Sequence, residues 1–259
     1  MRDMHPLSLC VFVAVVLCAL SPLRVLVSAQ NNYRLLGRVV ADKGEPLANA
    51  DVHVEAFFGK AAGAVSGQRT YTATTDKKGA WNVMGIRPGV WLFEVTAPGY
   101  MPESVALPIQ ILASSSSGQS GMALTWQLVL KPVPMPQNER GQLLLNAMDA
   151  AHGDGADTRV RSILERLPDD VDSEYLAGAG RVALMARDMA LARALFQRSL
   201  EKDPSSYRAA LGIATTFLLA RDFDSASKVF DAARNRTHDK DEVKFITVAL
   251  GDLATIVVR

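Results

Sequence analysis

Ala186-Arg187-Asp188 opens the stretch ARDMALARALFQRSLEKDPSSYRAALGIATTFLLARDFDSASKVF (186–230), whose reading decides the fold. The same triplet returns as Ala220-Arg221-Asp222, 34 residues further on, and the same offset carries Ala192 to Ala226 and Phe196 to Phe230. A period of about 34 residues marks an array of helical hairpins, each too small to bury its apolar face alone. Small residues recur where helix axes must approach to roughly 8–10 Å. Gly180, Ala192, Ala214 and Ala226 occupy such crossings, and Phe196 and Phe230 are the wedges between successive helices.

Working outward, Leu176, Gly180 and Ala183 precede the first copy, and Ser199 and Pro204 close it. Ala210, Ala214, Phe217, Ala226, Phe230 and Ala233 repeat the pattern, with His238 where a terminating proline would stand. Leu144, Ala147, Ala156, Val160, Ile163 and Pro168 fit an earlier, degenerate copy, and the segment from Asp241 onward supplies a final helix. This set resembles the tetratricopeptide consensus over residues 139–259. The resemblance implies a helical-hairpin solenoid that binds proteins or peptides on a concave face built from the first helix of each hairpin. Carried onto this chain, the positions lining that face are Glu174, Arg181, Arg208, Thr215 and Glu242. Arg187 and Arg221 fall beside the turns within hairpins and read as turn residues.

Upstream, the period changes from 3.6 to two. Val52, Val54 and Ala56 alternate with Asp51, His53 and Glu55, the pattern of a half-buried strand. Leu35–Ala41, Thr70–Thr75, the segment of Trp81 and Val83, Val90–Ala97, Ser104–Leu112 and Ala123–Leu130 read as further strands. Glycine-bearing turns separate many of them, such as Asp76-Lys77-Lys78-Gly79 and Pro98-Gly99. Seven short strands in about 100 residues imply a sandwich. Gly37-Arg38-Val39-Val40, Gly44-Glu45-Pro46-Leu47-Ala48-Asn49-Ala50-Asp51-Val52, Thr74-Thr75-Asp76, Pro88-Gly89 with Trp91, and Pro98-Gly99-Tyr100 follow in order. Together they resemble a carboxypeptidase regulatory-like domain, which implies a transthyretin-like (prealbumin/Ig-like) β-sandwich without catalysis of its own.

The expected organisation is therefore multidomain, all-β followed by all-α: a signal peptide (1–29), a sandwich (30–131), a Pro-rich spacer (132–138) and the helical array (139–259). The signal reading rests on the apolar run Leu7–Leu20, Arg2 before it, and Val27-Ser28-Ala29 before a mature start at Gln30. Both cysteines, Cys10 and Cys18, lie inside it, so the mature chain folds without disulfides. Neither follows a small residue as an acylation site requires. Two of 28 basic and one of 27 acidic residues leave with the signal, so the mature chain is neutral. Nothing steers it towards nucleic acid or an anionic membrane, and no later apolar run is long enough to span a bilayer.

Catalytic signatures are absent from the sequence: no Gly-x-Ser-x-Gly elbow, no phosphate loop, no thiol after cleavage. His53 and Glu55 share a strand face but are two ligands where a catalytic zinc takes three. Asp154-Gly155-Ala156-Asp157 reads as a helix-breaking turn and not a calcium loop. No cofactor or metal is expected. The expected function is an exported, periplasmic or secreted, non-enzymatic scaffold of a bacterial envelope that binds a protein or peptide. Two alternatives stay open: a carbohydrate-binding sandwich using Trp81, Trp91 or Trp126, or an accessory subunit of a peptidase. Alternation places Trp91 with Phe93 and Val95, on the core side.

Overall fold

The computed structural model describes residues 33–58, 69–109, 124–134, 138–238 and 240–257. The predicted signal lies outside them. Among the described residues seven strands come first: β1 (Tyr33–Ala41), β2 (Asp51–Phe58), β3 (Thr70–Thr74), β4 (Ala80–Ile86), β5 (Gly89–Thr96), β6 (Glu103–Ile109) and β7 (Leu124–Leu130). They form two sheets, β4-β1-β7 and β3-β2-β5-β6. All pairs are antiparallel except β1 with β7.

The alternation seen in the sequence sets the register. Val52, Val54 and Ala56 lie opposite Val95, Phe93 and Trp91, and all six are at most 1% exposed. Trp81 reaches across from the other sheet to Phe93, with ring centroids 6.4 Å apart. Its indole lies flat against Gly37, where a Cβ would sit 2.2 Å from the ring. At the β3–β4 turn, Asp76 Oδ1 accepts from the Lys78 and Ala80 amides at 2.8 and 2.9 Å. Gly79 there has φ +71° and packs so tightly that a Cβ would lie 2.3 Å from the Val39 carbonyl. The two indoles advanced for sugar stacking that can be located, Trp81 and Trp91, are 3% and 0% exposed, so neither is a platform. The Trp126 side chain lies outside the described residues.

Seven helices follow among the described residues: α1 (Glu139–Ala150), α2 (Ala156–Leu164), α3 (Ser173–Met185), α4 (Met189–Lys202), α5 (Tyr207–Leu219), α6 (Phe223–Arg234) and α7 (Lys240–Val257). They pair as the hairpins α1/α2, α3/α4 and α5/α6, with α7 against α6. Phe196 is the wedge the repeat requires. A Cβ at Gly180 of its own hairpin would lie 2.7 Å from its ring, and one at Gly212 of the next hairpin 2.4 Å. Ala192, Ala214, Ala226 and Phe230 are fully buried at the equivalent crossings.

The doubled triplet is a turn device. Arg187 and Arg221 take left-handed φ of 64° and 61°, the position after a helix C-terminus that usually selects glycine. Asp188 and Asp222 then cap α4 and α6, each accepting an amide three residues on at 3.1 Å. In the degenerate hairpin, Gly153 and Gly155 supply the positive φ, and the Arg159 guanidinium donates to the carbonyls of Ala150, His152 and Asp154 at the end of α1.

Strands and helices from Asn31 to Arg259 form one compact unit. The start of the Pro-rich segment expected to be a spacer, up to Pro134, is strapped down. Met101 N–H donates to the Lys131 carbonyl at 2.7 Å, Val133 N–H donates to the Gly99 carbonyl at 3.0 Å, and Val133 is 3% exposed. The β5–β6 part of the outer face of the four-stranded sheet is covered: Leu92 and Ala106 are 0% exposed and Ser104 2%. The first helices of the hairpins, α3 and α5, together with α7, pack on β6.

Candidate functional site

The predicted concave face exists, and the chain's own sandwich fills it. Among the described residues β6 pairs only with β5, so one row of its backbone groups has no strand partner. α5 covers that edge: the Ala106 N–H donates to Thr215 Oγ1 at 3.1 Å, and Thr215 is fully buried. Exposed strand edges pair with other chains, and a covering helix removes that hazard. At the start of β6, Glu103 is shared by two arginines. Its Oε1 lies 3.3 Å from Arg181 Nε and its Oε2 3.4 Å from Arg208 Nη1. Arg208 also donates to the Val129 carbonyl at 3.2 Å. Lys131 Nζ donates to Glu174 Oε2 at 2.9 Å.

Four of the five residues assigned to the face, Glu174, Arg181, Arg208 and Thr215, thus converge on β6 and its neighbours. The fifth, Glu242, falls on α7 by its backbone position, and its side chain is outside the described residues. Burial of Glu174 works to raise its carboxyl pKa, but the charges of Arg181, Lys131 and Arg208 outweigh it and hold the group below the usual range. The contact is not fully satisfied. Arg181 Nη2, Glu174 Oε1 and Ser104 Oγ are buried without a hydrogen-bond partner among the described residues.

Sequence reasoning missed a second contact. Arg187, read as a turn residue, bridges to the sheet: its Nη2 pairs with Glu55 and its Nη1 lies 2.5 Å from Glu94 Oε1. Burial opposes its charge, yet the hydrogen bond and charge of Glu94, then Glu55, hold its pKa above the ordinary arginine value. Both glutamates are under 10% exposed. The available signal was Glu55 on the outer face of its strand; the arginine that answers it is 132 residues away.

Beside this bridge lies an open cleft of about 670 Å³. Asp51, His53 and Thr96 of the sheet form one wall, and His152, Asp154 and Asp157 around the α1–α2 turn form another, with Arg187 between them. Among the described residues, no group of three or more His, Cys, Asp or Glu could hold a metal ion.

A sandwich with the β6 side of one sheet sheathed by helical hairpins defines a two-module repeat protein. Residues 34–116 match the family model of the carboxypeptidase regulatory-like domain, and residues 183–244 that of the tetratricopeptide repeat; the chain carries the two in that order. No curated protein matches the sequence. Among solved structures, similarity extends to the TPR2B domain of yeast Sti1 in its pHsp70 complex, at 18% identity over 45% of this chain and 97% of that one, with a TM-score of 0.36. Catechol 1,2-dioxygenase from Pseudomonas arvilla C-1 is similar at 16% identity over 42% of this chain and 54% of that one, TM-score 0.32. The major pilin SpaD from Corynebacterium diphtheriae is similar at 19% identity over 39% and 30%, TM-score 0.27. The chain spans 54% to 61% of the length of the first four dioxygenases it matches. Among the described residues, no helix is long and apolar enough to cross a membrane.

Proposed function

We propose that the protein is an exported, non-enzymatic scaffold of a bacterial envelope that binds a protein partner as one composite body. Export rests on the apolar N-terminal run and the small residues before Gln30. The scaffold reading rests on the two modules themselves, because helical repeats present surfaces and seldom carry chemistry. The observation that directs the partner is the occupancy of the concave face by β6. With that face engaged, the cleft bounded by Asp51, His53, Asp154 and Asp157 is the concave surface we assign to the partner, at the junction of the modules where binding sites concentrate. Its carboxylates suit a partner presenting basic side chains.

The test is affinity capture from envelope extract by the mature protein, compared with an Asp154→Lys, Asp157→Lys variant. These residues are exposed, so the fold is expected to survive the change. Loss of a captured protein by the variant supports the cleft, whereas identical partner sets remove it. Sequencing the N-terminus of the exported protein checks the cleavage, and a start other than Gln30 would revise it.

A further inference from the structure

Each sheet ends in strands whose outer backbone groups invite another chain, and three of these four edges carry a guard. On β6 the outward amide of Ala106 donates to Thr215 Oγ1 at 3.1 Å, and Pro108, two residues on, has no N–H to offer. On β7 the Val129 carbonyl accepts from the Arg208 guanidinium at 3.2 Å. On β4 the Gly85 carbonyl accepts from the Tyr71 hydroxyl at 3.1 Å. The fourth edge is β3, and among the described residues it pairs only with β2.

Backbone parity decides what β3 presents. The Arg69 carbonyl accepts from the Ala56 amide at 2.8 Å, and Thr75 donates to the Ala50 carbonyl at 3.0 Å. Odd-numbered residues therefore face β2, and Thr70, Thr72 and Thr74 turn their N–H and C=O groups outward. All three are exposed. The strand reads Thr-Tyr-Thr-Ala-Thr, with no charge, proline or glycine, and it pairs with β2 without a register shift. Threonine and tyrosine suit a pleated strand, and the devices that usually discourage edge pairing are missing from these five residues.

The flanks select the occupant. Arg69 precedes the strand and Asp76 follows it. Both turn amides that bind Asp76 fall on Oδ1, so Oδ2 is left to meet a cation. Antiparallel pairing of two copies about Thr72 sets Thr70 opposite Thr74 twice, and threonine pairs across strands are favourable. It also carries each Arg69 to the end where the other copy's Asp76 stands, while Lys77 and Lys78 lie in the turn past the last pair. Parallel pairing would instead set Arg69 beside Arg69. A two-fold contact demands this kind of self-complementarity.

We propose that β3 is a homodimerisation edge, on which two copies of this chain pair antiparallel about Thr72 and join their four-stranded sheets into one. Neither β3 nor its flanks line the cleft, so the proposal stands apart from the cleft's partner, and its test uses the purified chain alone.

The experiment takes the chain from Gln30, which has no cysteine. Sedimentation velocity across a concentration series reads association, and circular dichroism reads the fold. Wild type is expected to sediment as a dimer that dissociates on dilution. Thr72→Pro removes an outward amide and no bond to β2, so it should sediment as a monomer with an unchanged spectrum. Should that variant fail to fold, Thr72→Lys is read in the same way, because it sets two like charges directly opposite. The register is read by single cysteines in a glutathione redox buffer. Thr72→Cys faces its own copy and should form a disulfide-linked dimer. Thr70→Cys faces Thr74, too far from its own copy to bridge, and should crosslink at least about tenfold less. A wild type that stays monomeric up to millimolar concentration overturns the proposal and leaves the edge to a strand of a different chain. A dimer that survives both Thr72→Pro and Thr72→Lys, or equal crosslinking at the two cysteine positions, overturns it as well.

Discussion

Two residues that look alike in the sequence have unequal roles. Arg187 and Arg221 share their triplet and their left-handed backbone, but Arg187 holds two buried carboxylates of the sheet. Removing one partner of a buried pair leaves charge uncompensated, which costs about 3–5 kcal/mol when the pair is fully enclosed. The Arg187 side chain is 36% exposed, so solvent takes up part of the loss. Arg187→Ala is expected to destabilise by about 1–2 kcal/mol, and Arg221→Ala, at an exposed site, by under about 0.5 kcal/mol. Equal shifts in denaturant midpoint for the two variants would refute the bridge. Glycines divide in the same way. Gly212 lies against Phe196, so Gly212→Val should overpack the wedge and cost about 1–3 kcal/mol. A Cβ added at Gly251 in α7 would meet nothing within 4 Å, so Gly251→Ala should stabilise the helix by up to about 1 kcal/mol. A thermal melt of each variant decides the pair.

At the level of elements, β6 and the helices over it behave as a titratable contact. Glu174 has a carboxyl pKa held below its ordinary value in the folded protein. A depressed folded pKa contributes stability that is complete above the unfolded value, about 4.3, and is lost as pH falls through the folded one. Wild type should therefore lose melting temperature as pH drops from about 5 towards 3, and Glu174→Gln should show a shallower fall over that window. Parallel slopes would mean Glu174 is not coupled to folding.

The elements themselves were legible. The seven strands and seven helices follow from period and turn chemistry, since alternation along β2 and β5 and the 34-residue repeat are local signals. The placement of Glu174, Arg181, Arg208 and Thr215 on the first helices was legible too, because those positions repeat. What fills the groove was not. The Ala106 to Thr215 bond joins residues 109 apart, and nothing in the local pattern of β6 distinguishes a solvated sheet face from one sheathed by helices. Nor does composition reveal that a proline segment is pinned by two backbone hydrogen bonds to the β5–β6 turn.

For the whole molecule, the question is whether one compact unit is also one cooperative unit. All three tryptophans, Trp81, Trp91 and Trp126, lie in the sandwich half, and the seven described helices lie in the other. Tryptophan fluorescence therefore follows the sandwich, and dichroism at helical wavelengths follows the array. Coincidence of such probes is the working test of two-state unfolding. The ion pairs at Glu103, Glu174 and Arg187, the Thr215 hydrogen bond and the covered sheet face couple the halves, so the two probes should melt together in wild type. Glu103→Lys removes both ion pairs at the start of β6 while leaving the apolar residues in place, so the two transitions should separate, with the sandwich, relieved of its helical cover, melting first. Transitions already separate in wild type would show the contact to be too weak to close the concave face. Transitions that remain superimposed in the variant would show the apolar part of the contact, around Leu92 and Ala106, to hold the halves together without help from its charges.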